Sequence, residues 1–340
     1  MAIKKYSKSS SFYVDLKNDF FINNLSNRNS VEEINSKYCE QPIRLNCKLC
    51  EGKLDSMAHF SSHGVGYVFC SFCGHLNGRH QETLDFINAL YVNNSGLNYS
   101  KNYLDLNFEK RTKQIYLPKV DFLIESIETL NFSVLDIGCG AGHFIDALNI
   151  KNIEANGIDV SKSMVDYGNQ YFKNKFKGSP LTCVEESEFY GKILSSKSDV
   201  ISAIGVIEHL ASPRKFFEAF KKSKSNYLFI SVPMYSMSVI LESIFDDVYP
   251  RQLGGGHTHL FTERSIDWLL DYYSFTRKSE WRFGTDAMDL FRSLKVMVNL
   301  KGNDCLSDEI DRKLIDMIDP IQSIFDSKHF CSEIHCLIKK

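Results

Sequence analysis

The chain has 340 residues, 43% of them hydrophobic, with 40 basic against 42 acidic side chains and a net charge of −2. That is enough apolar material for one large domain plus a small one, and the charge balance argues against an obligate nucleic-acid binder, which carries a basic stripe or a high pI. No apolar run approaches the roughly 18 residues of a membrane span and the opening MAIKKYSKSSSFYVDLK has no apolar signal core, so a soluble, cytoplasmic protein without membrane contact is expected.

Residues 1–40 are polar and rich in Ser, Asn and Lys, with partial order expected and no functional reading. Residues 41–80 carry four of the ten cysteines, Cys47, Cys50, Cys70 and Cys73, spaced C-x2-C-x19-C-x2-C. Two such knuckles make a tetrahedral four-thiolate zinc site, and without a signal segment metal is favoured over disulfides. Gly74, directly after the second pair, suits a knuckle turn. His59, His63, His75 and His80 are nearby substitutes for a cysteine ligand. A site with four protein ligands leaves no open position for chemistry, so the zinc is expected to be structural.

Residues 81–130 form a helical connector, with Ile115, Val120, Leu123, Ile124 and Ile127 near helical spacing and Pro118 starting or kinking the helix. From 131 to 340 the rhythm changes. FSVLDIG (132–138), EANGIDV (154–160), LTCVEE (181–186), SDVISAIG (198–205) and NYLFISVP (226–233) are strand-like, and helical stretches separate them. Strands alternating with helices imply βαβ units and a parallel sheet. TRKSEWRFG (276–284) and HFCSEIHCLIKK (329–340) are a candidate terminal strand pair, with 285–328 a helical insertion between them.

The strongest signal is VLDIGCGAGHF, in which Asp136 ends a strand and Gly138, Gly140 and Gly142 alternate into a helix. Glycines let a ligand approach the backbone, and the helix start offers free N–H groups. The nicotinamide fingerprint GxGxxG/A would put a third small residue at 143, where His143 stands. The alternating pattern instead resembles motif I of class I S-adenosylmethionine-dependent methyltransferases. That resemblance implies an α/β, Rossmann-like fold, a mostly parallel seven-stranded sheet flanked by helices, behind the small four-cysteine zinc module.

It also implies the cofactor-binding residues. The glycine turn with Cys139 faces the amino-acid part of the cofactor. Asp159, about 20 positions on, is placed for the ribose hydroxyls, with Val160 beside it. Glu185 and Glu186 are the candidates near the adenine. AIGVIEHLASP resembles the family segment in which Ile204 and Gly205 border the cofactor and Glu208 and His209 sit at the mouth of the site. The family's Pro-Gly-Gly turn before the fifth strand is replaced by KKSKSNY.

After the fifth strand, RQLGGGHTHLFTERSIDWLL resembles the H-x-x-x-F-T/S segment that lies over the active site in small-molecule methyltransferases. Gly254, Gly255 and Gly256 make a flexible or tightly turning loop before His257 and His259. The sulfonium methyl is already activated, so the protein mainly aligns nucleophile, methyl and sulfur. For a hydroxyl or acidic-carbon acceptor a base helps, and His257, His259 and His209 are the candidates.

A zinc region ahead of such a domain resembles two groups: bacterial enzymes acting on nucleotide-activated sugars and other small biosynthetic intermediates, and certain rRNA methyltransferases. The neutral charge and the His-rich lid favour a small-molecule acceptor, methylated on O or C, over nucleic acid. An RNA methyltransferase with the zinc module as a clamp and a non-catalytic scaffold are the alternatives, with a nicotinamide enzyme behind them. The acceptor and the oligomeric state are not encoded in any motif.

Overall fold

The computed structural model describes residues 3–9, 23–91, 108–127, 129, 131–173, 175, 179–314 and 316–340. Its central sheet runs β1-β11-β12-β9-β8-β5-β6-β7. The parallel half comprises β5 (Ser133–Ile137), β6 (Glu154–Asp159), β7 (Leu181–Cys183), β8 (Val200–Ile204) and β9 (Tyr227–Pro233). β11 (Thr276–Phe283) and β12 (Glu333–Lys339) form the terminal antiparallel pair, with β12 inserted against β9. The expected seven strands are present. An eighth, β1 (Ile3–Tyr6), joins the edge parallel to β11. IKKY carries no alternation long enough to mark a strand, so only the exposed edge of β11 makes it one.

β8 is buried along VISA, as a strand covered on both faces must be. On one face Val120, Phe122, Leu123, Phe144 and Leu148 pack over Val134, Val200 and Phe229. They come from the helices Leu117–Ile127 and His143–Ile150. On the other face the helices Pro213–Lys222 and Glu263–Tyr273 contribute Phe216, Phe217, Phe220, Ile266 and Leu269. Pro118 stands in the first turn of the helix Leu117–Ile127, as a helix-starting proline should. A π-helical turn, Thr112–Tyr116, runs directly into it. Between β11 and β12 lie the helices Asp286–Leu300, Asp304–Leu314 and Ile318–Ser327.

The cysteine region has a sheet of its own, β10-β4-β3-β2. β2 (Phe60–Ser62), β3 (Val65–Phe69) and β4 (Leu76–Gly78) belong to it, whereas β10 (His259–Leu260) comes from the segment after β9. The small module is therefore completed by a strand of the large domain. Cys47, Cys70 and Cys73 also lie in the same apolar cluster as Ile201, Phe216 and Phe261. Residues 23–40, which carry no motif, form the helix Asn24–Cys39, and Asn35 Oδ1 accepts from Gly255 N at 2.7 Å. Tyr67 Oη accepts from Gly254 N at 2.7 Å. The glycine loop is tight and pinned.

Two buried polar features hold this arrangement. Glu82 lies between Arg44 and Lys48, each of the three side chains no more than 6% exposed. Lys48 Nζ also donates to Thr258 Oγ1 at 3.1 Å, and Thr258 Oγ1 donates to Glu82. Burial raises the Glu82 pKa, but Lys48 and Arg44 outweigh it and hold the carboxyl below its usual range. The second feature is Asp136 in mid-sheet, which accepts from Ser202 Oγ at 2.7 Å. Burial pushes its pKa up to about 7 against that hydrogen bond.

Removing Glu82 leaves two buried cations without their anion. Glu82→Ala should cost about 3–5 kcal/mol in urea denaturation; a cost under about 1 kcal/mol, the value of a surface pair, would contradict this reading. Asp136 gives a pH signature. An acid of raised pKa keeps its proton in the folded chain where the unfolded chain has lost it. Stability therefore falls as pH rises from about 4 to about 7, then levels. Asp136→Asn keeps the acceptor for Ser202 and removes the slope. Thermal melts should show the variant gaining several degrees on the wild type across that window, and identical pH profiles would refute the assignment.

Candidate functional site

A cavity of about 860 Å³ opens at the carboxyl ends of β5, β6 and β8. The chain winds from β5 toward β6 on one side and returns to β8 on the other, so the cavity lies at the topological switch point, where such sheets bind ligands. Its floor is the glycine turn. Gly138 has φ +68°, and a Cβ there would stand 2.4 Å from Val206 Cγ2. Only glycine lets the turn pass beneath the β8 loop. Asp159 braces the same turn, with Oδ2 accepting from Gly140 N at 2.7 Å and Oδ1 from Ser161 N at 2.8 Å. Each oxygen keeps a further lone pair for a hydroxyl donor.

Of the residues expected around a cofactor, Gly138, Cys139, Gly140, Asp159, Val160, Ile204 and Gly205 line this cavity. Asp136 does not; it sits within the sheet on Ser202. Gly142 is turned to the core, where a Cβ would meet Phe172 at 2.7 Å. The third strand stops at Cys183, so Glu185 precedes the helix Glu186–Ser195 instead of ending a strand. Glu185 and Glu188 are on the cavity wall, and the Glu186 side chain lies outside the described residues. The motif reading missed Ser161, Met164, His143, Tyr116 and Ile87. The first three adjoin the motifs and were within reach of them. Tyr116 and Ile87 come from the connector, where no local pattern marks them.

At the far end three groups converge. Glu208 and His209 belong to the 3-10 turn Ile207–His209 after β8, and His257 to the loop before β10. A carboxylate oxygen and one ring nitrogen from each histidine lie within 4.8 Å of one another. His209 Nδ1 is 3.1 Å from Gly256 O, and His257 Nδ1 is 3.2 Å from Gln252 O. A carbonyl only accepts, so Nδ1 carries the proton in both rings and the lone pair is on Nε2. Burial pushes Glu208 up to about 8, pushes His209 down to about 3 with His257 beside it, and lowers His257. The group is neutral near pH 7.

The structure sets His259 apart from the other two histidines. It is fully buried on β10, its Nδ1 2.8 Å from His75 Nε2, and away from the cavity lining. His257 lies in the loop ahead of β10, whereas His259 begins the strand, and its pairing with Asn77 of β4 places its ring in the module.

The four cysteine sulfurs also lie within 4.8 Å of one another. Cys47 and Cys73 sulfurs are 3.6 Å apart, and Cys50 and Cys70 sulfurs 3.5 Å. A disulfide would need about 2.05 Å, whereas a tetrahedron of sulfurs at about 2.3 Å from a metal has edges of about 3.8 Å. Gly52 N and Asn77 Nδ2 aim at the Cys50 and Cys47 sulfurs from 3.4 and 3.5 Å, as thiolates require. Each knuckle ends in a left-handed residue, Glu51 at φ 61° and Gly74 at φ 76°. The donor set fits a soft divalent metal. None of His59, His63, His75 and His80 is in this cluster.

A family model described as a methyltransferase domain matches residues 102–278. Ubiquinone biosynthesis O-methyltransferase of Coxiella burnetii (strain RSA 493 / Nine Mile phase I) is 24% identical over 164 residues, 48% of this chain and 64% of that one. The match thus spans less than two thirds of the relative. Magnesium protoporphyrin IX methyltransferase from Synechocystis PCC 6803, solved with bound SAH, is 14% identical at TM-score 0.47, covering 74% of this chain and 96% of that one. The plantazolicin methyltransferase BpumL in complex with SAH is 17% identical at TM-score 0.46, covering 75% and 93%. Since the family match takes in more than half of the 340 residues, the chain belongs to the methyltransferase-domain family and is built on the class I fold of the S-adenosylmethionine-dependent enzymes.

Proposed function

We propose that this protein transfers a methyl group from S-adenosylmethionine to an oxygen or carbon of a small biosynthetic metabolite, with a nucleotide-activated sugar or polysaccharide precursor as the acceptor class. One observation carries the reading. The glycine floor, Asp159 and the Glu208–His209–His257 group line a single cavity of about 860 Å³, within the size of small-molecule sites. When bound, S-adenosylmethionine supplies an activated methyl whose transfer breaks its bond to sulfur and leaves a neutral thioether. The chain's own residues orient and exclude water. Asp159 receives the ribose hydroxyls while still bracing Gly140. His209 and His257, on the same wall, address the acceptor group and its proton. The curated relative carries the name of an O-methyltransferase, which favours oxygen.

The cysteine module speaks for a small acceptor over RNA. Two of its few basic side chains, Arg44 and Lys48, are engaged with buried Glu82 and cannot meet phosphate. We assign Cys47, Cys50, Cys70 and Cys73 to a structural zinc, which cross-links the two knuckles under the β10 segment.

Calorimetry with S-adenosylhomocysteine tests the main reading. Micromolar affinity is expected, with NAD not bound and Asp159→Ala at least about tenfold weaker. Folded, zinc-replete protein that binds neither S-adenosylmethionine nor S-adenosylhomocysteine would refute it. Zinc should be present at one per chain by elemental analysis. Stripping it, or the Cys70→Ser change, should lower the melting temperature by more than about 5 °C and weaken S-adenosylhomocysteine binding, because β10 pairs with the module. An unchanged melt after complete removal would leave the zinc without a structural role.

A further inference from the structure

Glu208 is an anomaly in the cavity wall. It is 5% exposed, and its Oε2 is buried with no hydrogen-bond partner among the described residues. A buried oxygen of this kind is costly unless something fills the partner position. What stands opposite it is a pair of imidazoles with ring centroids 5.0 Å apart. Both are tied through Nδ1–H to backbone carbonyls, Gly256 O and Gln252 O. That is the arrangement by which proteins orient a histidine for metal: the outer N–H is anchored, and the tautomer leaves the lone pair on Nε2. Two imidazoles and one carboxylate make a facial set that suits a divalent first-row ion and leaves coordination positions open.

We propose that Glu208, His209 and His257 bind a divalent cation at the acceptor end of the cavity, and that the methyl acceptor is a hydroxyl compound whose oxygen enters as a further ligand. The inference rests on the methyl-transfer reading of the cavity and replaces a bare imidazole base with a cation. Donors on one ion at about 2.1 Å stand roughly 3–3.5 Å apart. One carboxylate oxygen and one nitrogen of each ring already lie within 4.8 Å of one another, so side-chain rotation can bring Glu208 and the two rings onto one ion. The ligands come from two loops, so the ion also ties the β8 turn to the glycine loop. In the reaction the cation-bound hydroxyl gives its proton to solvent. The oxygen pair then forms the O–CH3 bond, and the C–S pair stays on sulfur as S-adenosylhomocysteine. The four-cysteine cluster is a separate, soft site, so a hard ion distinguishes the two.

Full-length protein retaining its zinc would be freed of other ions with a weak chelator and titrated with Mn2+. Loss of the free-ion EPR signal reports binding, and calorimetry with S-adenosylhomocysteine is run on the same samples. One saturable Mn2+ per chain is expected. Glu208→Gln and His257→Ala should each weaken it at least about tenfold, while melting and S-adenosylhomocysteine binding stay near wild type. No saturable uptake of Mn2+, or of Co2+ in a repeat, would overturn the proposal, as would uptake that both variants leave unchanged. S-adenosylhomocysteine bound without Mn2+ removes the cation and leaves the methyltransferase reading standing. Mn2+ bound without S-adenosylhomocysteine retains the metal site and removes the reaction assigned to it.

Discussion

A carboxylate buried between two cations ties the cysteine module to the loop that carries His257. Glu82 receives Arg44 and Lys48 from the cysteine module and Thr258 from the loop after the glycines. Each charge is out of water, and each is tolerable only because the others are present. Thr258 stands between His257 and His259, so this contact fixes the register in which one imidazole faces the cavity and the other the module.

The two ends of the cavity are built differently. The glycine-turn end is local. A strand, a glycine turn and a helix follow one another, and Asp159 closes onto Gly140 from the neighbouring strand. The histidine end is assembled from distant segments. Glu208 and His209 follow β8, His257 precedes β10, and the loop between Gly254 and Gly256 is pinned by Asn35 and Tyr67. Neutral buried groups dominate there because burial disfavours charge in acids and bases alike. A low-dielectric wall of this kind strengthens any charge a ligand brings into it.

The cysteine module is too small to bury a core alone. It borrows β10 for its sheet and shares an apolar cluster with Phe216 and Phe261. Its second knuckle is further clamped by the helix Glu263–Tyr273, where Thr262 Oγ1 donates to Gly74 O at 3.0 Å and Arg264 donates to Ser71 O and Phe72 O, each at 2.7 Å. Anything bound by the sulfurs therefore stiffens the segment around β10 as well as the module. The helix Asn24–Cys39 acts in the same sense from the other side, through Asn35.

The amino-acid sequence by itself determined the parallel sheet, the glycine floor with Asp159 and the four-cysteine cluster. These are short-range patterns in which strand, turn and helix signals are adjacent and each residue type has one physical use. It also placed His209 and His257 in one candidate group. It could not separate His259 from them, because only the pairing of His259 with β4 carries its ring into the module, while His257 stays in the loop ahead of the strand. Nor did it disclose the strand Ile3–Tyr6, the cavity roles of Ile87 and Tyr116, or the turn of Gly142 toward Phe172. Those were decided by the tertiary structure, since a four-residue strand, a wall residue and the side of a turn that meets the core depend on partners far along the chain. The Glu208 oxygen that has no hydrogen-bond partner among the described residues belongs to the same class: burial and partnering are properties of surroundings that only folding creates.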